Sequence, residues 1–376
     1  MRRLLAIRLD NIGDVIMLAP ALRALRHALP AARLTLLASP AGSRAAPLLP
    51  WIDDVIAWTS VWQDAGGTMP IDPAREATIV DALRTRRFDA AIVFTSFAQS
   101  PYPPAYVCWL AGVPIRVGQS KEFGGSILSQ WVHPPPDGGH QVERNLFLLE
   151  AAGFSIPDRR PVIHVPPAAR AGATRLLASV GVRADAPFVL LAPGATCAAR
   201  RYAPERFGGV ARGLARETGL PVVAVGSPRD ADVAAAVLES ADDPRVVSLV
   251  GRDTIPELAA LVERAALVVA NNSAPMHLAD ALRRPMVILF SGTEDEGQFR
   301  PRSAAARLLR RPTPCTPCRA FRCSFGMECL DIPPDEVVAE AVSLLAARGV
   351  GQRAVATSAT CATAATARVA DTSGSR

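Results

Sequence analysis

Short runs rich in Val, Ile, Leu and Ala recur along the chain, and between them apolar residues repeat at helical spacing. In the first half the runs are Leu4–Arg8, Leu34–Ala38, Val55–Trp58, Ala90–Phe94 and Ile115–Val117. In the second half they are Phe188–Leu191, Val222–Val225, Val246–Leu249, Leu267–Ala270 and Met286–Phe290. Strands alternating with helices predict parallel sheets built from βαβ units, so the chain is expected to be α/β, with the pattern of its first half repeated in kind in its second. From Val15 the spacing predicts one helix to His27, and another runs from Pro275 to Arg283.

Breaks in the pattern suggest how the chain is divided. Gly153 to Pro167 holds Pro157, Pro161, Pro166 and Pro167, a concentration that neither a helix interior nor a central strand tolerates. The boundary is placed there, giving domains over residues 1–160 and 170–350. At 376 residues the chain exceeds the roughly 250–300 at which single cores stop growing, which agrees. Residues 351–376 are mostly Ala, Thr, Ser, Val and Gly and read as a disordered tail. A second Pro-rich segment, Pro312 to Pro334, contains four of the seven cysteines.

Composition narrows the partners. The net charge of +6 is spread evenly over both halves and the tail, without a basic stripe interleaved with aromatics, which argues against nucleic acid and for small phosphorylated ligands or an anionic membrane surface. Lys121 is the single lysine, so a relative's lysine is expected to appear here as arginine. The opening Met1-Arg2-Arg3 imitates a signal peptide, but Arg8, Asp10 and Asp14 interrupt the apolar region. With no run of about 18 apolar residues, the expected location is the cytoplasm, with at most peripheral contact with the inner membrane.

Candidate chemistry lies where strands end, because ligands of open α/β sheets sit at the carboxyl ends of the strands. The first strand runs into Leu9-Asp10-Asn11-Ile12-Gly13-Asp14. Gly13 permits a tight turn, and Asp14 falls in the first helical turn, either as a helix cap or as a carboxylate facing a cleft. In the second half Pro193-Gly194-Ala195-Thr196 precedes Arg200 and Arg201; small residues let amides approach an anion, and Thr196 with the arginines can donate to phosphate, unless the segment is only a solvated basic turn. Asn272-Ser273-Ala274-Pro275-Met276-His277 opens a helix whose free amides suit a diphosphate, with His277 either ligand or packed residue. Asp230 follows another strand and could meet ribose hydroxyls. Asp230-Ala231-Asp232 spells a metal-binding D-x-D but opens a helix, and is read as fortuitous. Cys315, Cys318, Cys323 and Cys329 have the ligand count for a structural zinc or iron ion and are equally consistent with free thiols.

Together these segments resemble the glycosyltransferase family nine heptosyltransferases over about residues 1–345. Arg8, Asp10, Ile12, Gly13, Asp14 and Pro20 stand in register with that family's R-x-D-x-I-G-D opening. Its P-G-x and K-R-W-P-x-E-x-F segments appear as Pro193-Gly194-Ala195 and Arg200-Arg201-Tyr202-Ala203-Pro204-Glu205-Arg206-Phe207, and its D/N-S/T-G-P-x-H segment as Asn272 to His277. The resemblance implies a GT-B arrangement, two Rossmann-like domains facing across a cleft, with acceptor on the first and ADP-heptose on the second. It marks Asp14 as catalytic base, Arg200 as the cation beside the donor phosphates, Asp230 as the acid at the nucleoside, and Ser273, Ala274 and His277 as the phosphate-binding turn; Gly13, Thr196, Arg201 and Asn272 join the expected donor site by their positions in these segments. Arg200 replaces Lys, Asn272 stands where Asp is frequent, and Ala274 where Gly is usual.

The implied activity is inverting transfer of heptose to a lipopolysaccharide core or related, sometimes lipid-linked, glycan, with no cofactor required. Two alternatives stand beside it. An NAD-dependent oxidoreductase shares doubly wound folds but should carry G-x-G-x-x-G after an early strand, where this chain offers only Gly13. A non-catalytic sugar-nucleotide-binding protein would differ by failing to turn donor over.

Overall fold

The computed structural model describes residues 1–64, 66–135, 138–183 and 185–350. The expected tail lies outside them. Among the described residues, twelve strands form two parallel sheets. The first contains β1 (Arg3–Arg8), β2 (Arg33–Ala38), β3 (Asp54–Ala57), β4 (Ala90–Val93), β5 (Ile115–Gln119) and β6 (Gln130–Val132), in the order β3-β2-β1-β4-β5-β6. The second contains β7 (Val189–Ala192), β8 (Val222–Ala224), β9 (Val246–Ser248), β10 (Leu267–Asn271), β11 (Met286–Leu289) and β12 (Ala306–Leu309), in the order β12-β11-β10-β7-β8-β9. Both orders describe the same doubly wound topology, whose direction of winding reverses between β1 and β4 in one sheet and between β7 and β10 in the other. Central strands such as β4, β7 and β10 are buried on both faces, as continuous apolar runs should be in parallel sheets.

Helices cover the sheet faces. In the first half they are α1 (Ile12–Met17), α2 (Ala19–Ala28), α3 (Pro40–Ser43), α4 (Pro73–Arg86), α5 (Tyr102–Leu110) and α6 (Gln141–Ala151). In the second half they are α7 (Pro167–Ala178), α8 (Pro204–Thr218), α9 (Ala231–Ala241), α10 (Ile255–Arg264), α11 (Ala274–Ala281), α12 (Glu296–Phe299) and α13 (Pro334–Ala346). The helix expected from Val15 to His27 is two: Leu18 caps one and starts the next, because Pro20 cannot donate into a continuous ladder. Ten expected strands are present; β6 and β12, at sheet edges, were not anticipated.

The halves touch. One apolar cluster runs from Leu4, Val15 and Leu146 in the first half to Leu190, Val268 and Met276 in the second. Polar struts add to it: His140 Nε2 donates to the Arg300 carbonyl at 2.9 Å, and Glu143 pairs with Arg302. Burial pushes the His140 imidazole down to about 4, so its neutral form holds this strut at neutral pH.

Candidate active site

β1 carries Arg8 to its carboxyl end, where the side chain is fully buried. Its Nε lies 2.8 Å from Asp10 Oδ2, and its Nη2 donates to Asp14 Oδ1 at 2.8 Å and to Ser96 Oγ, beyond β4, at 2.7 Å. One guanidinium therefore gathers two carboxylates and a hydroxyl across the β1/β4 reversal. Asp14 Oδ2 accepts the Asn11 backbone N–H at 3.2 Å and closes a capping box at the start of α1. The capping role is thus present, yet the side chain keeps 19% of its surface exposed. Asp10 is more enclosed: burial raises its carboxyl above the ordinary range, Arg8 opposes this, Asp14 adds to it, and the Gln99 amide donates to Oδ1.

The second domain meets this turn directly. A Cβ built on Gly13 would stand 2.5 Å from His277 Cδ2, so only glycine lets α1 and α11 come this close. Burial lowers the His277 pKa, with Arg200 adding to the effect and Asp14 and Asp280 opposing it, so the neutral ring prevails at pH 7. Arg200 Nε donates to Thr293 Oγ1 at 3.1 Å, and its Nη2 pairs with Glu294. Burial raises the Glu294 carboxyl; Arg200 and the Asn272 amide counter, while Asp14 raises it further. Asp14 adjoins the Gly13–His277 contact, and its charge raises the carboxyls of Asp10 and Glu294 and opposes the lowering of His277.

The remaining expected residues divide by what they touch. Arg201 braces the Ala195 carbonyl through Nε and Nη2, and Thr196 is exposed on the same turn. Asp230 is buried, its Oδ2 accepting from Ser227 N at 2.9 Å and Oγ at 2.7 Å, while a Cβ on Gly194 would lie 2.5 Å from its Cγ. Its carboxylate thus supports the Pro193–Ala195 turn and caps the approach to α9. Asn272 Oδ1 accepts Ser291 N at 3.2 Å, and its Nδ2 is buried with no aligned partner among the described residues. Ser273 is the N-cap of α11 without a side-chain capping bond, and Ala274 and Pro275 follow in the first turn. Sequence reasoning passed over Glu294. It follows β11, so the strand-end rule that singled out the β7 and β10 turns would have found it.

The four cysteines differ in burial. Cys315 and Cys318 are exposed, Cys323 is half-buried and Cys329 is buried. Among the described residues no three His, Cys, Asp or Glu side chains are arranged to hold a metal ion. Burial chiefly raises the Cys329 thiol, and the other three cysteines lie near enough to add to the shift.

Likeness to known proteins follows the same geometry. Lipopolysaccharide heptosyltransferase 2 of Salmonella typhimurium is 26% identical over 362 residues, spanning 93% of this chain and all of that one. Lipopolysaccharide heptosyltransferase 3 of Escherichia coli is 27% identical over 221 residues, which span 57% of this chain and 63% of the relative. The solved E. coli ADP-heptose lps heptosyltransferase II superposes with a TM-score of 0.74 at 23% identity, covering 93% of this chain and 100% of that one. A family 9 glycosyltransferase from Veillonella parvula gives the same TM-score at 21% identity, covering 92% and 97%. These two share the fold, a GT-B pair of parallel sheets. Among the described residues no helix is long and apolar enough to cross a membrane. The model of glycosyltransferase family 9 (heptosyltransferase) matches residues 77–328, two thirds of the sequence, and the chain belongs to that family of glycosyltransferases.

Proposed function

We propose that the protein transfers heptose with inversion from ADP-heptose to a lipopolysaccharide core or related glycan. The observation that carries this reading is Asp14, held by Arg8 and Asn11 where the first domain meets His277, Arg200 and Glu294 of the second. In this reading Asp14 takes a proton from an acceptor hydroxyl as that oxygen attacks the anomeric carbon. ADP leaves on the opposite face through an oxocarbenium-like transition state. Charge then grows on the diphosphate, and the amides opening α11, Arg200 and the turn at Thr196 and Arg201 are placed to receive it. Asp230 would reach the nucleoside only from behind the Gly194 turn. No cofactor enters these steps. Mass spectrometry of products from a panel of ADP- and UDP-sugars with core-oligosaccharide acceptors tests the reading. A heptose added from the ADP donor alone is expected; transfer from UDP-sugars only, or none, overturns it.

Arg200 must exchange its Glu294 partner for phosphate as the donor binds. Arg200→Gln should therefore lower turnover by more than tenfold while changing donor affinity less, because phosphate charge peaks in the transition state. A raised Michaelis constant with unchanged turnover would make Arg200 a ground-state ligand. The Pro312–Pro334 loop would host zinc or iron only by drawing its four thiols together. Elemental analysis of protein purified without chelator checks this: near-stoichiometric metal supports it, and metal-free protein with four titratable thiols overturns it.

A further inference from the structure

β11 runs into Ser291-Gly292-Thr293-Glu294, and this turn holds Arg200 by two kinds of partner. Thr293 Oγ1 accepts from Arg200 Nε at 3.1 Å and is itself fixed by Ser291 Oγ at 3.0 Å, whereas Glu294 pairs with Nη2 as a counter-ion. The Glu294 side chain keeps 23% of its surface exposed and that of Arg200 26%, so a ligand can reach the pair. We propose that Glu294 couples the grip on the diphosphate to the presence of the sugar: a hydroxyl of an attached sugar replaces Arg200 as partner of the carboxylate, and once the sugar has gone Glu294 reclaims Arg200 and expels ADP. The inference rests on the transferase reading above and adds to it a means of telling donor from product.

Position supports the first step. A transferred sugar lies between the base that serves its anomeric carbon and the cation that serves its phosphates. Glu294 answers to both, since it pairs with Arg200 while the charge of Asp14 acts on it from the facing domain. Beside it stands Asn272, 2% exposed, whose Nδ2 is buried with no aligned hydrogen-bond partner among the described residues. A carboxylate only accepts and the orphan amide group only donates, so a hydroxyl, which does both, matches the two together.

Energetics supports the second. A diphosphate that draws Arg200 away leaves the Glu294 carboxylate largely enclosed and without its counter-ion, and an uncompensated charge in such a place is costly. The β-phosphate of ADP carries oxygens that accept, so the product cannot repair the loss. An ADP-sugar brings hydroxyl donors to the same place and can. Donor binding therefore leaves each of these groups with a partner, whereas ADP binding strands Glu294, and the difference between the two ligands appears as a preference for the intact donor.

The test is calorimetry on the full chain without acceptor, using ADP-heptose and the β-methyl ester of ADP, which carries the same diphosphate charge but no sugar hydroxyl. The wild type should bind ADP-heptose more tightly than the methyl ester by roughly fivefold or more. Glu294→Gln keeps the shape and removes the charge. It should tighten the methyl ester by a similar factor and leave ADP-heptose unchanged or weaker, so that the preference disappears and ADP becomes a stronger inhibitor of transfer. Glu294→Ala should shift the methyl ester in the same direction, so the result does not hang on how glutamine packs. Weaker binding of both ligands to Glu294→Gln would make Glu294 a brace that orients Arg200, and equal tightening of both would reduce it to general repulsion. Either overturns the proposal, as does a wild type that holds the methyl ester as tightly as ADP-heptose. If the wild type still transfers heptose under any of these outcomes, the transferase reading stands and this inference alone falls; a wild type that binds neither ligand removes both.

Discussion

Asp14→Asn is expected to remain folded, bind ADP as the wild type does, and lose transfer by roughly a hundredfold or more, the scale of a general base. A sugar hydroxyl is too weak an acid to attack unaided, so a carboxylate must take its proton as the new bond forms. Asparagine keeps one oxygen, which can accept the Asn11 N–H so that the cap of α1 survives, while its amide replaces the oxygen that accepted from Arg8. What it cannot do is accept a proton at neutral pH. Asp10→Asn is the control: Asp10 is nearly enclosed, engaged by Arg8 and Gln99, and its loss should cost far less activity. Initial rates beside thermal melts of both variants decide the matter. Transfer near the wild-type rate in Asp14→Asn would remove it as the base, and an early melt with activity preserved in the folded fraction would leave it as a cap.

The largest loss of stability should come from Arg8→Met. The substitution keeps most of the apolar volume but leaves Asp10 and Asp14 facing each other without the guanidinium between them. Breaking a buried pair by removing one partner costs roughly 3–5 kcal/mol, and the lower end applies because Asp14 keeps part of its surface in contact with solvent. The sign of the pH dependence follows from the same charges. Arg8 is what opposes the upward push of burial and of Asp14 on the Asp10 carboxyl, so without it the folded pKa of Asp10 rises further above its unfolded value. Stability of the variant is then greatest below the unfolded range near pH 4 and falls as pH rises through the folded value. Urea unfolding at pH 5 and pH 8 should therefore show a larger deficit at pH 8. Equal deficits would mean that lost packing, not charge, accounts for the effect.

Much of this arrangement was legible before any coordinates. Strands with continuous apolar runs, such as Leu267–Ala270, announce themselves because both of their faces are buried. β6 and β12 escaped notice because edge strands are short and half-exposed: Gln130-Trp131-Val132 has no run to see, and Ala306–Leu309 sits among arginines. The split of the first helix at Leu18 could have been read from Pro20. At the site, the turns after β1, β7 and β10 were visible from their Gly, Asp and Asn content. Glu294 was passed over because a lone Glu in Ser291-Gly292-Thr293-Glu294 does not stand out by composition; its place after β11 marks it, and its partner is Arg200, ninety-four residues away in sequence. Asp230 shows the converse. Its position after β8 suggested a ligand, whereas its oxygen is engaged by Ser227.

The repeated strand order gives the direction of transfer a physical origin. Each half places a helix start near the reversal in its sheet, and each such start carries the same partial positive charge. In the first half Asp14 occupies the opening turn, whereas the first turn of α11 contains no acid. Of these two helix starts, one is therefore already countered by a carboxylate of its own chain, while the other carries none. In the proposed reaction a diphosphate would settle on the uncountered start, and a hydroxyl seeking a proton acceptor would find Asp14 on the opposite bank. The two helix starts that meet do not correspond in the repeat, one following the first strand of its sheet and the other the fourth of the other sheet, so a nearly symmetric scaffold acquires a polarity where its halves touch.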